Sequence, residues 1–449
     1  MFSRQKQNAR LKFKAPKKLV AGRFRSNTNP AEDDVDEVDV STKSAPRRIA
    51  SFEDLKSQLN AWAENERIPG KFQAWFTKEA LPENSDWRII CKKVGERETL
   101  VMDAPASEME APEVVIRVND QLHKDHLRIF KKALRQIWFR ATGDGRFALL
   151  VQANCHGRNS AHGYKTFADF VERNCPEIIS CHIIQCQPER LFNPSSKPAG
   201  RVDCKCTFGN DFMPIAQTGL YMHVLDWAPR MKDAWIDLPA RIKEAIHPSA
   251  EDKFFEFYSG SSFVGASLAN FFRQVESMDC RESAMQSSRF NARALVDDNL
   301  RFHRGLLEAS VFPKFFNKAE NEGRWTFYFN LPEGESLPAG VEQAAATSCP
   351  ERILLQVSDL EIAAKEIRHF RREGYVLRKN IPLYLEPGSG KMELLMLFVP
   401  DRAGLLGQNP AAKAKSRTVQ RPRERISTTK TSIKPHFATE IPTFKQRKG

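Results

Sequence analysis

The sequence predicts an α/β protein whose C-terminal half forms a doubly wound, mostly parallel sheet. In this half, short apolar runs alternate with segments in which apolar residues recur at helical spacing. Strands that alternate with helices are typical of a parallel sheet with helices on its faces. The last two apolar runs are separated by a loop alone, so we expect these two strands to pair antiparallel.

The elements of this half follow from the apolar pattern. The predicted strands are Phe254–Tyr258, Gln274–Ser277, Leu300–Arg304, Trp325–Asn330, Ile353–Val357, Gly374–Lys379 and Leu394–Val399. The main predicted helices between them are Phe263–Phe271, Cys280–Leu295 and Leu360–Glu373. Two further helices are predicted ahead of the first strand, at Leu220–Trp227 and Leu238–Ile246.

The preceding part of the chain is predicted to hold a smaller α/β module. Ser51 and Asp54 form a capping-box pattern, which predicts the start of a helix. The later elements are predicted as a strand at Val114–Val118, a helix at Asp120–Phe139, a strand at Phe147–Gln152, a helix at Tyr164–Asn174 and a strand at Ile178–Cys186. Residues 70–118 alternate too little to predict a separate β-barrel.

Composition divides the chain into five segments. We predict a charged leader at 1–48, a mixed helical segment at 49–118, the central α/β module at 119–212, the large sheet domain at 213–400 and a basic tail at 401–449.

Positive charge is concentrated at both ends of the chain. The sequence has 69 Lys and Arg against 56 Asp and Glu, a formal net charge of +13. This balance favours a polyanionic partner, above all RNA, over a merely solvated basic surface. Low-complexity basic tails can lie along phosphate backbones. The predicted RNA-binding residues are Lys12, Lys14, Lys17, Lys18, Arg417, Arg421, Arg423 and Arg425.

Apolar runs, targeting signals and cysteine spacing indicate which membrane, location and metal features we expect. No run approaches the roughly 18 apolar residues of a membrane span, so no membrane partner is expected. The segment before Glu32 is basic and free of acidic residues, which is typical of a mitochondrial transit peptide and also of a nucleic-acid-binding arm. We predict a mitochondrial location, with a cytoplasmic or nucleolar one as the alternative. The nine cysteines show no C-x-x-C spacing, so no metal site is predicted.

The first strand-to-helix turn of the large sheet has the form of a cofactor loop. Small residues between Glu256 and Gly265 let the backbone approach a ligand at a helix N-terminus. Gly260 and Gly265 are the candidate loop glycines. Glu276, close to the end of the next predicted strand, is the candidate acid for ribose hydroxyls.

Together these features resemble the tRNA and rRNA uracil-5-methyltransferases over about residues 140–400. Arg352–Phe398 follows the pattern of that family without a gap, through a G-Y before a strand and a final M-E-x-x-x-L-F. The resemblance implies a Rossmann-like fold that binds S-adenosylmethionine (SAM), with its last strand antiparallel, preceded by an RNA-binding module. It also implies that Asn330 lies at the cofactor.

The sequence departs from this family at the residues that carry its chemistry. Ser358 stands where the family has its cysteine nucleophile, and Asn330-Leu331-Pro332-Glu333 replaces D-P-P-R. Ser262 replaces a loop glycine. Glu393 alone retains the position of the proton-abstracting glutamate. A serine hydroxyl needs an adjacent base to act as a nucleophile, so we expect no uracil methylation.

Three functions follow from these observations. The first is a non-catalytic RNA-binding protein, such as a ribosomal component or a ribosome assembly factor that contacts rRNA and ribosomal proteins, with no cofactor required. The second is an active SAM-dependent RNA methyltransferase with another mechanism or target atom. The third is a scaffold whose tails bind protein.

Overall fold

The computed structural model describes residues 50–68, 72–94, 97–106, 108–185, 191–194, 203–295, 299–316 and 324–401. The predicted leader, the tail from residue 402 and Cys186 lie outside the described residues. So do all eight predicted RNA-binding residues: Lys12, Lys14, Lys17, Lys18, Arg417, Arg421, Arg423 and Arg425. Within the described ranges, no helix is both long and apolar enough to cross a membrane.

The strands are β1 (Phe76–Thr77), β2 (Trp87–Val94), β3 (Arg97–Asp103), β4 (Leu134–Ala141), β5 (Phe147–Ala153), β6 (Ile178–Gln185), β7 (Asp203–Phe208), β8 (Phe212–Pro214), β9 (Tyr221–His223), β10 (Lys253–Phe257), β11 (Gln274–Asp279), β12 (Leu300–Arg304), β13 (Trp325–Asn330), β14 (Arg352–Val357), β15 (Tyr375–Tyr384) and β16 (Glu393–Pro400). The α-helices are α1 (Phe52–Asn65), α2 (Glu113–Leu122), α3 (Arg128–Ala133), α4 (Arg158–Asn174), α5 (Asp233–Ile246), α6 (Phe263–Leu268), α7 (Glu282–Leu295), α8 (Phe312–Phe315), α9 (Val341–Thr347) and α10 (Leu360–Arg372).

The large sheet has the strand order β1-β15-β16-β14-β13-β10-β11-β12. Strands β10 to β14 are parallel to their neighbours among themselves, while β16 runs antiparallel to both β14 and β15. This arrangement confirms the predicted doubly wound sheet and its antiparallel last strand. The capping box at Ser51 that starts α1 is also present.

Side chains that alternate along the strands fill the space on both faces of this sheet. Phe254 and Tyr328 are buried in a core on one face, and Phe255 and Phe327 are buried in a second core on the other. Because both faces are covered by helices, the central strands are apolar throughout rather than alternating with polar residues. Their carboxyl ends are therefore the edge at which this sheet can present polar groups.

A second sheet has the order β3-β2-β4-β5-β6-β7, and its pairs are antiparallel except for β5 with β6. It takes strands from both sides of residue 118, where we placed a boundary from composition. The hairpin of β2 and β3 lies within residues 70–118, the segment in which the sequence alternates too little to predict a barrel.

Three predicted elements before residue 230 are wrong. Val114–Val118 belongs to helix α2, because Val114, Val118 and Leu122 share one buried face at helical spacing. The stretch predicted as one helix at Asp120–Phe139 holds the end of α2, the short helix α3 and the first part of β4.

The errors at Asp120–Phe139 and at Leu220–Trp227 each have an identifiable cause. Strand β4 is almost entirely buried, so it lacks the alternation that identifies a strand in sequence. The helix predicted at Leu220–Trp227 is the short strand β9 followed by a turn. Here the side chain of Asn291 donates to the carbonyl of Tyr221 at 2.8 Å and accepts from its amide at 2.7 Å. These tertiary bonds hold the backbone extended.

A buried charge cluster ties the second sheet to the segment before α5. Asp86 accepts a hydrogen bond from Arg140 at 3.0 Å and another from Lys232, and all three side chains are almost fully buried. Arg140 also donates to the carbonyls of Val224 and Asp226, both at 2.7 Å. Burial lowers the pKa of Lys232 to about 8. Each buried charge here depends on its partners.

Candidate active site

Two cavities open near the carboxyl ends of the parallel strands, where open α/β sheets bind their ligands. The larger has a volume of about 470 Å³ and the smaller about 260 Å³. Residues just after β13 contribute to both: Leu331 lines the larger cavity and Pro332 the smaller one.

The larger cavity brings together Ser358 and Glu393, which stand at the positions of the family's nucleophile and proton-abstracting glutamate but for which no catalytic role is predicted. Ser358 directly follows β14, and Glu393 is the first residue of β16. In the antiparallel register Val357 pairs with Leu394, which places the end of one strand beside the start of the other. Sequence alone separates these two residues widely, and strand pairing makes them neighbours.

A chain of buried hydrogen bonds holds Glu393. The amide nitrogen of Gln356 donates to the Glu393 carboxylate at 2.6 Å, and the Tyr328 hydroxyl donates to the amide oxygen of Gln356 at 2.6 Å. Burial raises the pKa of Tyr328 well above its usual value, so its hydroxyl keeps the proton that it donates. The carboxylate of Glu393 is therefore oriented by groups that are buried behind it.

Ser358 has no such support. Among the described residues, none forms a hydrogen bond with its side chain, and neither histidine nor cysteine lines this cavity. The nearby Asp359 is occupied as the N-cap of α10, where it accepts from the amides of Glu361 at 2.7 Å and Ile362 at 3.0 Å. Among the described residues, no base is therefore hydrogen-bonded to this hydroxyl.

The charge in this cavity is predominantly negative. Its described lining includes one lysine, Lys391, which pairs with Glu333 at 3.1 Å. Burial raises the pKa of Glu386, which accepts a hydrogen bond from the amide of Arg230. The acidic lining residues are Glu333, Asp359, Glu386 and Glu393. Such a surface repels a phosphate group rather than attracting one.

The smaller cavity lies against the predicted cofactor loop. Gly260 has φ +57°, and its amide donates to Asp279 at 2.9 Å. A Cβ on Gly265 would lie 2.8 Å from the Glu256 carboxylate, so a larger residue there would require that carboxylate to shift. Ser262 has φ +57°, a left-handed backbone conformation that favours glycine. Cofactor binding by Gly260 and Gly265 stays a prediction.

The predicted ribose-binding acid, Glu276, lies away from both cavities. Strand β11 continues to Asp279, so Glu276 lies inside the strand and lines neither cavity. The carboxylate of Glu276 instead binds His303 at 2.8 Å. Asp279 ends the strand and lines the smaller cavity. The apolar Met278 directly before Asp279 was the signal that the strand continues beyond Ser277.

Arg281 covers the carboxylate of Asp279. The guanidinium of Arg281 donates to the two carboxylate oxygens at 3.0 and 3.1 Å, and its amide donates at 2.9 Å. Both oxygens are therefore engaged, and the cavity volume is below the roughly 300 Å³ at which ligand pockets usually begin. As these residues are arranged, ribose hydroxyls can reach the Asp279 carboxylate only after the Arg281 guanidinium has moved away. Asn330 ends β13, is buried and lines neither cavity.

Comparison with known proteins agrees with this architecture. No protein-family model matches the sequence. The structure is similar to that of the tRNA (uracil-54, C5)-methyltransferase of Pyrococcus abyssi in complex with S-adenosyl-L-homocysteine. The TM-score is 0.56 and the identity 15%, over 77% of this chain and 83% of that one. The chain has the fold of an RNA uracil-5-methyltransferase. This confirms the resemblance seen in its sequence motifs.

A sequence relative agrees with the assignment of this methyltransferase fold. The chain is 26% identical over 147 residues to an uncharacterized RNA methyltransferase, YljE, of Lactococcus lactis. The match covers 33% of this chain, and it spans about a third of the length of that relative, 31%.

Proposed function

We propose that this protein is a non-catalytic RNA-binding protein built on the fold of an RNA methyltransferase. The observation that carries the proposal is the cavity of Ser358 and Glu393, which retains an oriented carboxylate but has no thiol, and in which no described residue is hydrogen-bonded to the serine hydroxyl. A carboxylate that abstracts a proton from a carbon acts only after a nucleophile has made that proton acidic. Glu393 alone therefore cannot carry out the reaction.

RNA is the proposed partner because two separate features agree on it. The relatives named above are RNA methyltransferases, and both ends of this chain are strongly basic. The acidic lining of the larger cavity directs phosphate contacts to other surfaces, of which the tails carry the most charge.

The salt dependence of RNA binding tests this proposal. The change is the replacement of Arg417, Arg421, Arg423 and Arg425 by alanine in the full chain, with a fourfold Arg→Lys variant as the charge-matched control. For single-stranded RNA the slope of log K against log salt is about 0.7 per neutralised phosphate, so the alanine variant should lose about 3 from the slope. The lysine variant should keep the slope, since it keeps the charge. An unchanged slope in the alanine variant contradicts RNA binding by this tail and favours a tail that binds protein.

The proposed RNA partner is rRNA, and the proposed role of the protein is in the assembly or permanent structure of a ribosome. The proposed compartment is the mitochondrion. The basis is the acid-free N-terminus together with long basic extensions on an RNA-enzyme fold. Crosslinking of the tagged chain in cells, followed by sequencing of the bound RNA, should recover rRNA. Recovery of other RNA alone, or a cytoplasmic or nucleolar location of the tagged chain, contradicts this assignment.

The second candidate is an active SAM-dependent RNA methyltransferase that uses another target atom. Methylation at nitrogen or ribose oxygen needs no cysteine, and the smaller cavity is lined by Asp279, whose carboxylate accepts a hydrogen bond from the amide of Gly260. Calorimetric titration of the purified chain with SAM separates the two candidates. Micromolar binding together with transfer of a labelled methyl group to RNA would replace the first proposal by the second.

A further inference from the structure

A cluster of three possible metal ligands lies outside both cavities. His182 is on β6, Cys206 is on β7, and Asp211 follows the turn that leads to β8. His182 and Cys206 are partners in the antiparallel register. One ligand atom from each residue lies within 4.8 Å of the other two. Because the ligands come from three segments, no paired spacing reveals them in the sequence.

The orientation of His182 is the second, independent sign of a ligand. Its side chain is fully buried, and its Nε2 lies 3.2 Å from the carbonyl oxygen of Asn210. This bond places the ring proton on Nε2 and leaves a lone pair on Nδ1. That Nδ1 is buried and has no hydrogen-bond partner among the described residues. Metal-ligating histidines are commonly oriented in this way, by a carbonyl that accepts from the opposite nitrogen.

The turn after β7 carries Asp211 back over the cluster. Gly209 has φ +81°, and a Cβ there would lie 2.3 Å from the carbonyl oxygen of Ile179, so the turn requires glycine. The Asp211 carboxylate comes to 3.5 Å from the Nδ1 of His182. Its side chain remains half exposed, which leaves an entry path from solvent. The Cys206 thiol lies 3.3 Å from the carbonyl oxygen of Phe208.

We propose that this cluster binds one Zn²⁺ through His182 Nδ1, the Cys206 thiolate and an Asp211 carboxylate oxygen, with water as the fourth ligand. Zinc takes nitrogen, sulfur and carboxylate ligands in tetrahedral geometry, with Zn–N and Zn–O near 2.1 Å. Two such ligands at tetrahedral corners lie about 3.4 Å apart, which matches the separation of Nδ1 from the carboxylate oxygen. Binding releases the thiol proton of Cys206 to solvent, since the thiolate is the ligand.

The bound ion would tie the edge of the second sheet to the loop before β8. That edge is strand β7, the last in its sheet, which pairs with β6 alone among the described strands. A ligand that binds only the folded state raises the melting temperature. Zinc should therefore stabilise the chain, and a chelator should reverse that effect.

Titration of the full-length, metal-free chain with Co²⁺ and Zn²⁺ tests this site. One equivalent of Co²⁺ should give a thiolate-to-cobalt charge-transfer band, which one equivalent of Zn²⁺ abolishes. Cys206→Ser should lose the band, and Asp211→Asn should weaken zinc binding at least tenfold. The half-exposed Asp211 side chain contributes little to the core, so the Asp211→Asn variant should still fold and reports on zinc binding alone.

Cys204→Ser is the matched control, because Cys204 lies two residues away on the same face of β7. It should keep both the band and the affinity. The proposal is overturned if the native chain gives no band at one equivalent, or if Cys206→Ser and Asp211→Asn bind zinc like the native chain. It is also overturned if Cys204→Ser loses the band as completely as Cys206→Ser does.

Discussion

Replacement of Arg281 by alanine should convert the smaller cavity into a stronger SAM site. In the structure the guanidinium of Arg281 makes two hydrogen bonds to Asp279, the acid at the end of β11. The side chains of both residues are largely buried, with exposed fractions of 14% and 7%. Ribose hydroxyls can reach this carboxylate only after the guanidinium has moved away.

The size of the effect follows from these two bonds. A hydrogen bond to a charged group contributes about 1.5–3 kcal/mol. When SAM binds the native chain, ribose hydroxyls replace the hydrogen bonds that Asp279 loses, and water partly replaces those that Arg281 loses. The cost that remains in the native chain is therefore about that of one hydrogen bond, and the alanine variant does not bear it. At about 1.4 kcal/mol per tenfold change in affinity, the Arg281→Ala variant should bind SAM about 10- to 100-fold more tightly than the native chain.

Isothermal titration calorimetry with SAM and with S-adenosyl-L-homocysteine measures this difference. Arg304→Ala is the matched control, because Arg304 pairs with Glu282 on the surface and both side chains are about half exposed. It should leave the affinity unchanged. Equal or weaker binding by Arg281→Ala would refute the reasoning. An equal gain in Arg304→Ala would show that general charge, rather than the cover on Asp279, controls binding.

Two further predictions concern stability. Asp86→Asn leaves the buried charges of Arg140 and Lys232 without their carboxylate, so it should lower the free energy of unfolding by about 3–5 kcal/mol in urea titrations. Asp237→Asn, which breaks an exposed ion pair, should cost less than about 1 kcal/mol. Burial raises the pKa of Glu366 to about 7, above its unfolded value, so its contribution to stability is present below about pH 4.5 and is lost as the pH rises through 7. Glu366→Gln should therefore be more stable than the native chain at pH 8, and this gain should vanish near pH 4; a gain that is independent of pH would contradict the assignment.

The sequence predicted most of the large sheet because its strands and helices differ clearly in apolar period. Strand β12 and strand β13 were predicted to the residue. The sequence also identified Ser358 and Glu393, since the family pattern runs without a gap through the strands that carry them. Prediction failed where burial removed the alternation of a strand, as in β4, or where a side chain from a distant helix held the backbone, as Asn291 does at β9.

The sequence by itself determined the fold class, the serine at position 358 and the basic ends of the chain, because each depends on residue type or on local period. Tertiary structure alone decided that Asp279 rather than Glu276 faces the smaller cavity, since the end of β11 sets which acid reaches that edge. It also decided that Arg281 covers this acid, and that His182, Cys206 and Asp211 meet. Such contacts depend on strand register and on burial, which join residues that are distant in the chain.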